Sequence, residues 1–147
     1  MNWKYILPLF ILLIFAGSAA AQSSEEAAVR IPLENYLKAH ATGDPAYARK
    51  AFNSVGNMIW VKDGKYSIES FDHFITRAFT GKPAADEAKR KDHRKIESID
   101  ITGNAAVAKI VLDYPTVKFT DYMTLLKIDG EWKIVNKSYF AEPKPTK

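Results

Sequence analysis

Two acid–phenol pairs, Asp113 with Tyr114 and Asp121 with Tyr122, stand on either side of a short break between two apolar runs. An enolising isomerase needs these residue types: a carboxylate removes a proton beside a carbonyl, and a phenol holds the oxyanion that develops. Asp121 is the first candidate for that base and Asp113 the second. Geometry restricts them, because Asp121 immediately precedes Tyr122 and neighbouring side chains of a regular strand start on opposite faces. They can cooperate only through a bulge or through partners on neighbouring strands. The other role open to all four residues is solvation of a sheet edge and support of the turn.

A second constellation lies in "WKIVNKSYF", where regular alternation puts Trp132, Ile134, Asn136, Ser138 and Phe140 on one face. An apolar face that turns polar partway either lines a pocket, where a few polar groups sit among apolar walls, or leaves the core for water. Tyr36 and His40 fall one turn apart on the apolar face of a helix. A neutral histidine satisfied by a neighbour is the plain alternative there. Tyr47 can reach the same space or pack only its ring, and Trp60 in "MIWVK" is a pocket wall or ordinary core. His73 and His93 read as exposed. Three histidines so dispersed, in a chain with no cysteine, predict no metal site. Neither a glycine-rich phosphate loop nor a GxSxG elbow is present, so P-loop nucleotide binding and α/β-hydrolase chemistry are not supported, and no cofactor is expected.

The elements that must position these groups are legible in the spacing. From Glu25 to Ala41, Val29, Leu33, Tyr36, Leu37 and His40 recur at three and four residues, one face of a helix in which Pro32 belongs to the first turn or bends the axis. Gly43 ends it, Asp44 caps the next helix and Pro45 opens it. Met58–Val61 and Tyr66–Ile68 flank an Asp63-Gly64 turn, and a third helix starts after Ser70 with Phe71, Phe74, Ile75, Ala78 and Phe79 as its stripe. The charged stretch from Asp86 to Lys95 reads as a connecting loop. Four strands follow, Ile96–Ile101, Ala105–Tyr114, Val117–Ile128 and Glu131–Phe140, an antiparallel meander turning at Gly103-Asn104 and Asp129-Gly130. A two-residue turn in the last hairpin pairs Ile134 with Leu125, while a bulged turn shifts this by one residue.

Of the 147 residues, 47% are hydrophobic and 26% charged, the composition of one compact domain. The opening "MNWKYILPLFILLIFAGSAAAQSS" runs from a cation through an apolar stretch to small residues, the order of a secretory signal peptide cleaved after Ala21. The apolar run is shorter than the ~20 residues that span a bilayer, so no membrane attachment is expected after cleavage. Domain bounds follow: 1–21 leader, 22–141 folded domain, 142–147 flexible proline-rich tail. A secreted or periplasmic protein is the expectation. The leader holds one of the 21 basic residues, Lys4, which leaves 20 against 17 acidic ones. That balance, and the reading of "KRKDHRK" as a solvated loop, argue against nucleic acid.

The segments "YLKAHATGDPAYARKAF", "IESIDITGNAAVAKIVL" and "FTDYMTLLKIDGEWKIVNKSYF" resemble the putative lumazine-binding branch of the nuclear transport factor 2-like superfamily over most of residues 27–140. The resemblance implies an α+β cone, three N-terminal helices packed on a curved antiparallel sheet around a pocket. It implies little about chemistry, since this scaffold carries isomerases, dehydratases, cyclases and plain binding domains. The concave face would place Asn136 and Ser138 beside Trp60, Tyr36, His40 and Tyr47 as lining for a small, partly aromatic ligand. Where such sequences commonly have a histidine after the second helix, this chain has Phe52, Asn53, Ser54. Asn53 can hydrogen-bond a ligand but offers no titration for proton transfer. Ligand binding without catalysis is the leading expectation, a cavity-carboxylate enzyme the alternative. The fold also often pairs through the open face of its sheet, so a homodimer is expected, with Val135 and Tyr139 among the outward positions.

Overall fold

Residues 7–145 are described by a computed structural model, with side chains from Gln22 onward. Its first helix, α1 (Leu7–Thr42), is longer than the spacing predicts, so Pro32 lies in the helix interior rather than in a first turn, where its ring removes one backbone hydrogen bond. Val29, Leu33, Tyr36 and Ala39 form its fully buried stripe. Residues 1–6 of the expected leader, and the side chains of 7–21, lie outside the described residues. Among the described residues no helix is long and apolar enough to cross a membrane.

Gly43 stops α1 in a left-handed conformation (φ +69°), and its N–H donates to the Ala39 carbonyl at 2.8 Å. A Cβ here would fall 1.8 Å from the Lys82 carbonyl oxygen, so only glycine fits. Asp44 then caps α2 (Pro45–Ala51), its Oδ1 accepting the Ala46 N–H at 2.8 Å. Strand β1 (Phe52–Lys62) follows without a break, beginning six residues before the expected Met58, and turns through Asp63 and Gly64, both at positive φ, into β2 (Lys65–Ser70). Ser70 caps α3 (Phe71–Ala78), which buries Phe71, Phe74 and Ile75.

The meander of β3 (Arg94–Thr102), β4 (Ala105–Asp113), β5 (Val117–Ile128) and β6 (Glu131–Pro143) forms as expected. The six strands make one curved open sheet in the order β2-β1-β6-β5-β4-β3, with β1 and β6 parallel. The helices cover one face, and the aromatic and aliphatic core lies between.

One irregularity in β6 sets which side chains point inward. Ile134 pairs with Leu125, as a two-residue turn requires, but Asn136 pairs with Thr124, so Val135 is an extra residue in the ladder. A single inserted residue moves everything beyond it to the other face. The buried row therefore runs Trp132, Ile134, Lys137, overturning the expectation that Asn136 and Ser138 face inward and that Tyr139 faces outward. Gly56 of β1 accommodates the bulge, since a Cβ there would sit 2.6 Å from the Val135 carbonyl oxygen and 2.5 Å from the Phe71 ring.

Two further expectations change. The strand continues through Pro143, which pairs with Val117, and the Lys144 N–H donates to the Thr116 carbonyl, so the tail is anchored at least to residue 144. In "KRKDHRK" the Arg94 head is buried against Glu87 and the Tyr114 hydroxyl, and Arg90 lies over the Tyr114 ring, so both pack onto the fold rather than into solvent.

Candidate functional site

Asp121 lies mid-strand in β5, between Phe119 and Met123 on the inward row, and is fully buried. Its Oδ2 accepts from the Tyr36 hydroxyl at 2.6 Å and from Lys137 Nζ at 3.1 Å, while Lys137 Nζ also donates to the Tyr36 oxygen at 2.9 Å. Three residues from a helix and two neighbouring strands thus close a triangle of charge-assisted bonds. Tyr36 reaches it because helical spacing puts it on the stripe of Val29 and Leu33; Lys137 reaches it because of the Val135 bulge. The ammonium also lies 5.2, 5.1 and 5.0 Å from the ring centroids of Tyr36, Phe74 and Tyr139, within cation–π range.

Above this triangle lies a cavity of about 150 Å³ lined by Tyr36, His40, Phe74, Lys137, Tyr139 and Arg77, with Met58, Leu112 and Phe119 completing its wall. Asp121 stands behind Tyr36 and Lys137 rather than at the cavity surface. At this site two buried polar atoms, Asp121 Oδ1 and His40 Nε2, have no hydrogen-bond partner. Burial of the ring, reinforced by Lys137, Arg94 and Arg90, holds His40 well below its ordinary pKa, so it is a neutral imidazole at pH 7. Its ring meets Tyr36 edge-on at 4.7 Å and Phe79 at 5.1 Å. Burial, and then the Asp121 carboxylate, push the Tyr36 phenol well above its usual value, so it stays protonated and donates.

Of the residues singled out in the sequence, Tyr36, His40 and Asp121 come together here. Asp113 does not: its side chain is 42% exposed on the outer face, and the Lys144 ammonium at 2.5 Å keeps its carboxyl below the usual range, so it is no poised base. Tyr122 also faces outward, and Tyr114 is committed to Arg94. Tyr47 packs under the Lys38 ammonium, 4.4 Å from its ring centroid. Asn53 turns its Oδ1 back to the Val55 N–H and borders a separate cleft with Phe71 and Ile75. Trp60 faces inward but stacks on Tyr139 at 5.6 Å outside the cavity lining. Asn136 spends its amide on the Asn57 carbonyl and side chain at 3.2 and 2.9 Å, and Ser138 borders a second cleft of about 360 Å³ at the sheet edge, which it shares with Trp60, Ile59, Val61, Tyr66, Tyr139 and Phe140.

Lys137, Tyr139 and Arg77 escape a reading by alternation. The first two sit beyond a bulge that no glycine or proline marks within β6, and Arg77 reads as an exposed helix residue tied to Glu69. The donor that Asp121 requires comes from helix α1, in place of the adjacent Tyr122.

A family model described as putative lumazine-binding matches residues 24–140. A curated relative, the aldolase FrzH of Cladobotryum sp., is 28% identical over 127 residues, covering 83% of this chain and 95% of that protein. Among solved structures, a nuclear transport factor 2-like protein of unknown function from Shewanella baltica OS155 superposes with a TM-score of 0.73 at 29% identity, over 83% of this chain and 97% of its own. One from Silicibacter pomeroyi DSS-3 gives 0.70 at 25%, over 82% and 98%.

Proposed function

The chain belongs to the putative lumazine-binding family of the nuclear transport factor 2-like superfamily, and from that premise we propose that its cone binds a small molecule carrying a carbonyl or enolate oxygen. The observation that carries this reading is the Tyr36–Asp121–Lys137 triangle at the end of the cavity. The Lys137 ammonium gives two of its three N–H bonds to Asp121 and Tyr36 and keeps the third for an acceptor oxygen, while the Tyr36 hydroxyl, its own hydrogen spent on Asp121, holds that ammonium in place. The neutral His40 Nε2 on the same wall adds a position for a ligand donor or acceptor. A volume near 150 Å³ holds the polar end of such a molecule, less than the ~300 Å³ of a drug-sized pocket. The relative named an aldolase supports carbonyl chemistry as the class to test first.

Titration calorimetry with a graded panel, from hydroxyacetone and small oxo-acids to pyrimidinedione and pterin rings, tests the reading. Binding that weakens about tenfold or more in Tyr36→Phe and Lys137→Met supports it, since hydrogen bonds to charged groups contribute ~1.5–3 kcal/mol. A ligand whose affinity ignores both changes overturns it.

A second reading, homodimerisation through the sheet, is favoured by the outward row of Val61, Tyr66, Ile68, Tyr122 and Phe140, each more than half exposed. Such a row is larger than isolated apolar side chains require. Sedimentation velocity decides: a dimer dispersed by Val61→Glu supports it, and a monomer at high micromolar concentration removes it. Export follows from the order of residues 1–21, and a mature mass beginning at Gln22 in the extracytoplasmic fraction is the expected result.

A further inference from the structure

We propose that Lys137 is an amine nucleophile, and that the cavity receives a small aldehyde or ketone that condenses with its Nζ to a protonated imine. This inference rests on the carbonyl-binding reading above. A buried ion pair is weak evidence for stability, because well-packed apolar residues of similar volume often serve a fold as well or better. Its presence here, on the wall of a cavity and beneath three aromatic rings, calls for another use.

The geometry fits the condensation at each point. Lys137 is 5% exposed and lines the cavity. Two of its three N–H bonds go to Asp121 and Tyr36, which leaves one for an occupant. Asp121 Oδ2, 3.1 Å from Nζ, accepts a proton from the ammonium and frees the lone pair that attacks the carbonyl carbon. Once Asp121 carries that proton, Tyr36 no longer needs to donate to it and can turn its own O–H, 2.9 Å from Nζ, to the developing carbinolamine oxygen. Both hydrogens of the leaving water come from the original ammonium, the one held by Asp121 and one released by the carbinolamine nitrogen, each passed on through the Tyr36 hydroxyl, so that the C–O bond breaks as the C=N bond forms and Asp121 and Tyr36 return to carboxylate and phenol. In sum an ammonium and a carbonyl compound become a protonated imine and one water, with no oxidation or reduction. The product keeps a positive charge at nitrogen, so the carboxylate and the three ring faces that hold the ammonium hold the imine as well.

Reductive trapping tests this. The full chain is incubated with hydroxyacetone and cyanoborohydride, digested, and each lysine's modification followed by mass spectrometry, with hydroxyacetone binding measured in parallel by calorimetry. The expected result is modification of Lys137 about 100-fold faster than of the exposed Lys65 and Lys91, the low end of what a positioned proton donor and acceptor contribute. Tyr36→Phe and Asp121→Asn are expected to slow Lys137 alone, leaving the exposed lysines as internal controls. Lys137 reacting no faster than Lys65, with binding intact, overturns the amine proposal and leaves the binding reading standing. Absence of both binding and trapping across the carbonyl panel overturns the two together. The wild-type peptide map and wild-type calorimetry together separate these outcomes, so a variant that fails to fold does not obscure them.

Discussion

The Tyr36 hydroxyl and the Asp121 carboxylate, 85 residues apart in sequence, meet at 2.6 Å with no water-accessible surface on either residue. That bond joins the first helix to the middle of the sheet, and Lys137 closes on both. Asp121→Ala therefore strands a buried ammonium and is expected to cost ~3–5 kcal/mol. The double variant Asp121→Leu with Lys137→Met removes both charges and should recover most of that loss. Urea unfolding of the wild type, Asp121→Ala and the double variant measures the recovery; a double variant no more stable than Asp121→Ala contradicts the pairing.

Stability should fall on acidification through the histidine range because of His40. The folded protein holds this imidazole well below its ordinary 6.5, so in the window beneath that value the unfolded chain binds the extra proton. One such proton makes stability drop by at most ~1.4 kcal/mol per pH unit. The loss begins near pH 6.5 and ends once pH has passed below the folded-state pKa. His40→Phe is expected to flatten this part of the curve, read from urea midpoints between pH 7.5 and 5. An unchanged slope would mean His40 already charges in the native state.

Gly56→Ala should destabilise by ~1–3 kcal/mol through overpacking, because the new methyl would meet the Val135 carbonyl, which is fixed backbone. For a domain of this size ~1 kcal/mol moves Tm by ~2–4 °C. Calorimetric melting of the variant checks it, and an unshifted Tm would place the bulge elsewhere.

Asn136→Ala should leave ligand affinity unchanged, in contrast to Tyr36→Phe. The Asn136 amide is on the outer face and already bonded to Asn57. Calorimetry on the same carbonyl compounds makes the comparison, and a loss of affinity in Asn136→Ala would return the site to the other side of the sheet.

Much of the scaffold was readable because it is locally encoded. Asp44 before Pro45, Ser70 before the Phe71 stripe, and the Asp63-Gly64 and Asp129-Gly130 turns each announce an element boundary through chemistry within a few residues. Tyr36 and Asp121 were readable as residue types, and Tyr36 also by helical phase. Lys137 was not. Regular alternation from Ile134 sends it outward, and lysine is seldom buried, so both rules agreed on the wrong face. The bulge that reverses them arises where β6 must pair with β5 on one side and in parallel with β1 on the other, and its cause includes the space left by Gly56, almost eighty residues earlier. Such a long-range constraint leaves no periodic trace in β6 itself.

The placement of β6 between β1 and β5 also orders the events of synthesis. The strand made last is an interior one, and until it emerges the β1-β2 hairpin and the β3-β4-β5 sheet are two separate pieces, each with an unpaired edge. Lys137 arrives with it, so Asp121 is buried only in the same step that supplies its counter-ion. The nascent chain therefore cannot complete its fold before its C-terminal segment is made. A chain stalled before Glu131 therefore exposes two adhesive edges together with an uncompensated carboxylate.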